Sequence, residues 1–209
     1  MIATENLVEK FLALDPIEPI DMHYVQPENR GSVFHEEGRI LTKLARKLEA
    51  THTSLPGCAF GLNVIEIGSA VGISSRYLLS GLKKRESTLT SIDIFHRWHT
   101  SFPNHYQWQG ESTGFFPLAK DKYGLAFVDG DHRFEGALAD TLACIAAGVP
   151  VIASHDTNRA NIQPTLGTME GSDGADVNDH IMKEGLAPGY TLIRLPTHCG
   201  LDLLTRIPL

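Results

Sequence analysis

The sequence is poor in cysteine, in basic charge and in long apolar runs, and each shortage excludes a class of protein. Its three cysteines are odd in number and widely spaced, which fits neither a disulfide framework nor a zinc site and favours a reducing cytoplasm. No apolar run approaches the roughly 18 residues of a membrane span, and the N-terminus lacks the basic region and apolar core of a signal peptide. The formal net charge of -7 argues against a nucleic-acid partner. We therefore expect a cytoplasmic protein without membrane or nucleic-acid partners.

What the sequence does contain is a regular alternation of helical and strand-like apolar segments. A length of 209 residues and a hydrophobic content of 42% suit one globular domain. Apolar residues at helical spacing predict helices over residues 5–14, about 35–51, 76–82, 134–145 and 177–184. Short apolar runs predict strands over residues 64–67, 88–94, 106–109, 125–128, 148–153, 190–195 and 200–206. A long loop, 17–34, separates the first two helices, and the alternation predicts an α/β fold.

The glycine-containing turn after the first predicted strand is the first candidate binding site. Gly68 and Gly72 stand between a buried strand and a helix, where the backbone N–H groups of a helix start face a ligand. The turn lacks the Lys-Ser or Lys-Thr of a P-loop, so triphosphate binding is not expected. It also has Ala70 and Ile73 where a dinucleotide-binding fingerprint would have glycine, which argues against that class.

Acidic residues follow the other predicted strands at their carboxyl ends. Asp93 ends the second strand roughly 20 residues after the turn, the distance at which an acid reaches a ribose in βαβ units. The run 129–132 (Asp-Gly-Asp-His) follows the fourth strand, and His155 and Asp156 follow the fifth. Ligands bind at this edge of open α/β sheets, so these residues form a second candidate cluster. His132 is a candidate general base. Asp131 is either a further catalytic candidate or the cap of the next helix.

Together these motifs resemble the class I S-adenosylmethionine-dependent methyltransferases. The likeness covers roughly residues 35–160, and the Asp-Gly-Asp-His run resembles a subgroup that includes sugar and natural-product O-methyltransferases and is similar to catechol O-methyltransferase. The resemblance implies a Rossmann-like, mostly parallel seven-stranded sheet with helices on both faces and a C-terminal antiparallel strand pair. It implies one domain over 1–209, with N-terminal helices and a lid-like loop in 1–60 and the cofactor-binding core in 61–209.

The family pattern also implies roles for individual residues. It implies S-adenosylmethionine as cofactor and methylation of a small hydroxylated molecule, such as a sugar or natural product. Three residues are expected to be catalytic: Asp129, His132 and His155. The residues expected to bind the cofactor come from the turn and the strand ends: Glu66, Gly68, Ser69, Ala70, Gly72, Ser74, Asp93, Glu111, Ser112 and Asp129.

A divalent metal ion is an open question at the sequence level. In metal-dependent relatives an acid after strand four and two oxygen ligands after strand five hold magnesium, and Asp129, His155 and Asp156 fall on these positions. His155 departs from the pattern, because magnesium prefers oxygen ligands and imidazole suits transition metals. Either a metal other than magnesium binds, or His155 is a base and no metal binds.

Two functions from other classes stay open beside methyl transfer. One is an S-adenosylmethionine-binding accessory protein without catalysis, and the other is a nicotinamide-dependent oxidoreductase. Whether the chain is a monomer or a homo-oligomer is equally open. The acceptor is expected to contact the irregular segments 17–34, 95–105 and 157–176, which identify no particular substrate.

Overall fold

The computed structural model describes residues 33, 35–51, 60–95, 102–118, 121–157 and 174–209. Seven strands form one sheet: β1 (Asn63–Ile67), β2 (Thr88–Asp93), β3 (His105–Gln109), β4 (Leu125–Val128), β5 (Val151–His155), β6 (Thr191–Leu195) and β7 (Leu201–Thr205). Five α-helices accompany them: α1 (His35–Thr51), α2 (Ile73–Gly81), α3 (Ser112–Phe115), α4 (Phe134–Ala146) and α5 (Gly174–Lys183). The predicted helix 5–14 and the loop 17–34 lie outside the described residues, apart from residue 33. None of the described helices combines the length and the apolar character needed to span a membrane.

The strands are arranged in the order β3-β2-β1-β4-β5-β7-β6. All neighbours from β3 to β5 pair in parallel, and β7 pairs antiparallel with both β5 and β6. The sheet order reverses direction between β1 and β4, which is the place where ligands bind in doubly wound sheets. The predicted Rossmann-like sheet with an antiparallel C-terminal pair is confirmed.

Helices cover both faces of the sheet because the apolar residues alternate along its strands. On one face, Val64 and Phe127 pack with Leu41 and Leu44 of α1 and with Leu78 of α2. The neighbouring strand residues point to the other face, where they pack against α4 and α5: these residues are Ile65, Ile67, Ala126, Val128 and Ile152. The core therefore lies in two layers, and the carboxyl ends of the parallel strands stay open between them.

The fifth strand begins and ends later in the chain than the sequence predicted, and its later end affects the site. The strand predicted over 148–153 is β5, which runs from Val151 to His155 because each of its residues pairs with β7, ending with His155 opposite Leu201. Gly148 lies in a turn with φ of 79°, so the strand cannot begin there. His155 is consequently the last residue of a buried strand and does not lie in the loop that follows.

Helix α1 approaches α2 closely at Gly38. A Cβ atom at this position would lie 2.3 Å from the ring of Tyr77, whose hydroxyl is hydrogen-bonded to His35 Nδ1 at 2.8 Å. Near the other end of α1, the Glu49 carboxylate accepts the backbone N–H groups of Lys83 and Lys84 at 3.0 Å. These contacts fix α1 on the sheet and thereby fix the position of Glu37, the residue before Gly38.

We expect Gly38→Ala to lower the free energy of unfolding by about 1–3 kcal/mol, because the added methyl group overpacks the contact with Tyr77. Urea unfolding measures the change. Gly114→Ala is the matched control, because a Cβ atom there meets nothing within 4 Å. Equal stabilities for the two variants would contradict the close helix contact.

Candidate active site

The turn between β1 and α2 is built from residues with left-handed backbone angles. Gly68, Ala70 and Gly72 have φ values of 87°, 41° and 80°, a conformation that favours glycine. Gly72 caps α2 and donates its N–H to Ser69 O at 2.6 Å. A Cβ atom on Gly68 would lie 2.0 Å from the carbonyl oxygen of Asp129. The sequence-based explanation for Gly68, room for a ligand, therefore needs correction: the space is filled by the backbone at the end of β4.

Glu66 lies beneath the turn and is fully buried. Its carboxylate accepts hydrogen bonds from Ser74 and Ser91, each at 2.5 Å, and also from Ser75. Burial raises the pKa of Glu66 to about 7, although the three hydroxyl groups lower it. Glu66 joins β1, β2 and α2 from below, and it does not line the cavity that the turn opens onto.

A cavity of about 770 Å³ lies above the turn, at the carboxyl ends of β1, β2 and β4. Of the ten residues predicted to bind the cofactor, the structure places eight in its wall: Gly68, Ser69, Ala70, Ser74, Asp93, Glu111, Ser112 and Asp129. Glu66 and Gly72 lie behind the wall. Ser69 is buried, and its Oγ has no hydrogen-bond partner among the described residues. The wall therefore contains a residue whose buried hydroxyl group has no hydrogen bond to the described part of the chain.

Asp93 lies at the rim of this cavity with both carboxylate oxygens directed at the backbone. One oxygen accepts the N–H of Ala70 at 2.7 Å and the other accepts the N–H of Phe95 at 2.9 Å. A carboxylate has about four lone-pair positions, so each oxygen can accept a further hydrogen bond. Across the cavity, the Ser112 hydroxyl donates to Asp140, which holds α3 against α4.

A cluster of carboxylates and histidines forms the neighbouring wall, at the ends of β4 and β5. His132 Nδ1 lies 3.0 Å from Asp156 Oδ2. His155 Nδ1 lies 3.1 Å from Asp129 Oδ1 and 3.2 Å from Asp156 Oδ1. Asp156 has a left-handed φ of 56°, which an aspartate tolerates and which directs its carboxylate at both histidines. The structure thus brings together the four residues predicted for catalysis and metal binding.

Glu37 is a member of this cluster that sequence reasoning missed. Its Oε2 lies 3.3 Å from His155 Nε2, and its Oε1 accepts the backbone N–H of Cys199 at 2.8 Å. The carboxylate is fully buried. One signal was present in the sequence: Glu37 falls on the same stripe of α1 as the buried apolar residues Leu41, Leu44 and Leu48, where a charge has to have a buried partner.

His132 and His155 differ in exposure although both belong to the cluster. The side chain of His132 is 40% exposed and lines the large cavity, whereas that of His155 is 2% exposed and does not line it. The hydrogen bond to Asp156 raises the pKa of His132 against the effect of burial. A second cavity of about 20 Å³, with room for about one water molecule, lies between them and is lined by Ser154 and Asp156 among others.

Among the residues that the structure describes, two groups of side chains hold donor atoms close enough together for a metal ion. In the first, the donor atoms of Asp129, His132 and Asp156 lie within 4.8 Å of one another. The second group is Glu37, His155 and Cys199. Burial and the nearby carboxylates raise the pKa of Cys199 to about 12, which disfavours the thiolate that a metal requires. The set predicted from the sequence combines His155 with Asp129 and Asp156, but the Nδ1 atom that faces them is already hydrogen-bonded to Asp129 and lies 3.2 Å from Asp156 Oδ1.

The raised pKa of Glu66 predicts a pH-dependent contribution to stability. A carboxyl group whose pKa rises from 4.5 to about 7 on folding stabilises the fold fully below pH 4.5, and this contribution is lost as the pH rises through 7. Glu66→Gln removes the dependence, so we expect the variant to gain about 3 kcal/mol relative to the parent between pH 4.5 and 8. Urea unfolding across this range measures the difference, with the exposed Glu86→Gln as control. Parallel stability curves for parent and Glu66→Gln would contradict the buried, titrating carboxyl group.

Comparison with known proteins places the chain in context. Residues 65–157 match the model of a family described as a methyltransferase domain. No curated protein matches the chain. The structure resembles that of the methyltransferase PaMTH1 from Podospora anserina bound to S-adenosylhomocysteine, at 12% identity over 100% of this chain and 89% of that protein, with a TM-score of 0.64.

Two further solved structures share the fold. The O-methyltransferase TomG of Streptomyces achromogenes, involved in tomaymycin synthesis and crystallised with S-adenosylmethionine, is 17% identical over 98% of this chain and 99% of that one, with a TM-score of 0.59. A protein from Staphylococcus aureus described as a caffeoyl-CoA O-methyltransferase is 16% identical with the same coverage and a TM-score of 0.62. The family match over residues 65–157 and the shared fold confirm the resemblance to the class I S-adenosylmethionine-dependent methyltransferases that the motifs predicted.

Proposed function

We propose that this protein binds S-adenosylmethionine in the large cavity and transfers its methyl group to a hydroxyl group of a small molecule, such as a sugar or natural product. The observation that carries the proposal is that His132, which is hydrogen-bonded to Asp156, lies in the wall of a cavity whose rim holds Asp93. The pair provides a base and the rim provides a ribose acceptor. The volume of about 770 Å³ is within the usual range for small-molecule sites.

The cofactor fits the polar groups that line this cavity. Asp93 is the acceptor for ribose hydroxyl groups, since its two oxygens keep lone pairs beyond those used by Ala70 and Phe95. Ser69 lines the cavity beside the turn and is assigned to the amino-acid portion of the cofactor. Glu111, which follows the strand next to that of Asp93, also lines the cavity and is assigned to the adenine base of the cofactor. When bound, the cofactor supplies an electrophilic methyl group on a positively charged sulfur.

His132 is the general base of the proposed reaction. Asp156 accepts the Nδ1–H of His132, so Nε2 is the nitrogen that can take a proton from the acceptor. The bound cofactor would supply the methyl group to the acceptor oxygen and keep the electron pair of the broken carbon–sulfur bond on sulfur, while Nε2 of His132 would take the proton of the acceptor. The resulting imidazolium is stabilised by Asp156. Because methyl transfer is an in-line displacement, the remaining task of the cavity is to align the two reactants.

The position of His132 in the cavity wall favours a hydroxyl group as the methyl acceptor over an acceptor that needs no base. A neutral hydroxyl group is a weak nucleophile until its proton has somewhere to go, and His132 is a partly exposed base in the cavity wall. Methylation assays with sugar, phenol and amine panels test the proposal directly. Tight binding of S-adenosylhomocysteine without any methylated product would instead support an accessory protein. Binding of a nicotinamide dinucleotide without S-adenosylhomocysteine would support an oxidoreductase.

Replacement of Asp93 tests the cofactor part of the proposal. We expect Asp93→Asn to weaken the binding of S-adenosylhomocysteine about 10- to 100-fold, because a charged acceptor for the ribose is lost. Isothermal titration calorimetry measures the affinity. Asp179→Asn, at an exposed position on α5, is the control and should bind as the parent does. Unchanged affinity in Asp93→Asn would contradict the assigned ribose contact.

Replacement of His132 tests the catalytic part. We expect His132→Gln to lower kcat about 10²- to 10⁴-fold while S-adenosylhomocysteine affinity stays unchanged, because the base acts only on the acceptor. In the parent, kcat should fall as the pH drops through an apparent pKa above the ordinary 6.5, since the bond to Asp156 favours the protonated form. His180→Gln is the control. A parent-like rate in His132→Gln, or an unchanged pH profile, would remove His132 from the reaction.

A further inference from the structure

His155 stands where the resemblance implies a metal ligand, and its surroundings do not suit one. Both ring nitrogens lie within hydrogen-bond distance of carboxylates, Nδ1 facing Asp129 and Asp156 and Nε2 facing Glu37. An ionised carboxylate accepts hydrogen bonds and donates none. Each nitrogen must therefore donate, and an imidazole that donates from both nitrogens is an imidazolium. It has no lone pair with which to bind a metal.

We infer that His155 is a fixed buried cation that takes the place of the divalent metal ion of metal-dependent relatives, so that this chain holds Asp129 and Asp156 without a metal. A cation at this position draws two strand-end carboxylates together, which is what a metal ion does. Its N–H lies 3.1 Å from Asp129 Oδ1 and 3.2 Å from Asp156 Oδ1. A metal ion between these oxygens would meet the N–H of a positively charged ring.

The burial of His155 makes the pairing necessary. With 2% of its side chain exposed, the ring is removed from water, and an isolated charge there would be strongly unfavourable. Three carboxylates compensate it. Burial alone would lower the pKa of His155, and the charges and hydrogen bonds of Asp129, Glu37 and Asp156 raise it well above its ordinary value.

Glu37 is the residue that fixes the second proton. Without a carboxylate at Nε2, His155 would have to donate only from Nδ1, which a neutral ring can also do. The Glu37 carboxylate is itself held in place by the backbone N–H of Cys199 at 2.8 Å. Burial alone would raise the pKa of Glu37, but the hydrogen bond and charge of His155 bring it below its ordinary value, so it stays ionised. Glu37 and His155 are thus positioning residues that act through Asp129 and Asp156.

The remaining atoms of Asp156 are also engaged. Its Oδ1 faces His155 and its Oδ2 faces His132 Nδ1 at 3.0 Å. The imidazolium thereby fixes the carboxylate that orients the proposed base. Only this link to His132 rests on the proposed function; the charge on His155 and the lack of a bound metal can be measured in a protein that methylates nothing.

A metal titration with a matched pair of variants tests the inference. For the parent we expect no stoichiometric binding of Mg²⁺, Mn²⁺ or Zn²⁺ by calorimetry, and no change in Tm with these ions or with EDTA. His155→Asp puts a third carboxylate in place of the cation, so Mn²⁺ or Mg²⁺ in large excess should bind and raise its Tm by about 5 °C. His180→Asp, the same substitution on α5, should gain no metal binding. One equivalent of metal bound by the parent would overturn the inference.

The charge on His155 can be observed in the parent protein itself, with a variant needed only to assign its signal. In ¹⁵N-histidine spectra of the parent at neutral pH, both ring nitrogens of one histidine should carry protons, and this signal should be absent from His155→Asn. In Glu37→Gln the same ring should lose a proton at lower pH than in the parent. A neutral His155 ring in the parent would overturn the inference.

The methylation assay separates this inference from the proposed function. Turnover that survives EDTA supports both. An imidazolium signal with no metal binding and no turnover supports the inference and contradicts the proposed function. Turnover that EDTA abolishes and Mg²⁺ restores supports methyl transfer and overturns the inference.

Discussion

The site depends on one close approach of backbone to backbone, between Gly68 and Asp129. Because position 68 has no Cβ atom, the turn after β1 lies directly against the end of β4, where the carbonyl oxygen of Asp129 would be only 2.0 Å from such an atom. The cavity wall formed by the turn therefore continues into the wall that carries His132. A side chain at position 68 would separate the two walls, and the distance between them decides whether a bound cofactor and a base can meet at one acceptor atom.

Buried acidic groups support this geometry from below, and they do so in two different ways. Glu66 is surrounded by serine hydroxyl groups, which can turn to serve a charged or a neutral carboxyl group, so its pKa of about 7 is tolerated. Glu37 faces a histidine ring instead, and that pair needs a charge on both partners. The hydrogen bonds of Glu66 join β1, β2 and α2. The contact of Glu37 with His155 fixes the protonation state of the histidine–carboxylate cluster.

Sequence patterns predicted the fold and part of the cavity wall because both follow from local periodicity and from the ends of strands. Asp93 and Asp129 could be placed at one edge since parallel strands end on the same side of a sheet. Glu37 could not be placed, because it lies 118 positions from His155 and meets it only through the packing of α1 on the sheet. The role of Gly68 was misjudged for the same reason: its neighbour is a backbone carbonyl 61 positions away in the chain, on another strand. Burial also could not be read from the sequence at Glu66, which was assigned to the cavity and lies behind it.

The charges of the cluster suit the proposed reaction as a whole. Three carboxylates surround one imidazolium, so the wall beside the cavity stays negative while His132 is neutral. A negative wall attracts the positive sulfur of the cofactor, and the effect is stronger in a partly buried site than in water. In the proposed reaction the positive charge would leave sulfur, and a proton would arrive on His132, beside Asp156. The positive charge thus moves from one side of the acceptor to the other and remains next to the same carboxylates. A fixed cation at His155 holds those carboxylates in place during the transfer, and because it does not exchange with solvent it makes the site independent of the supply of metal.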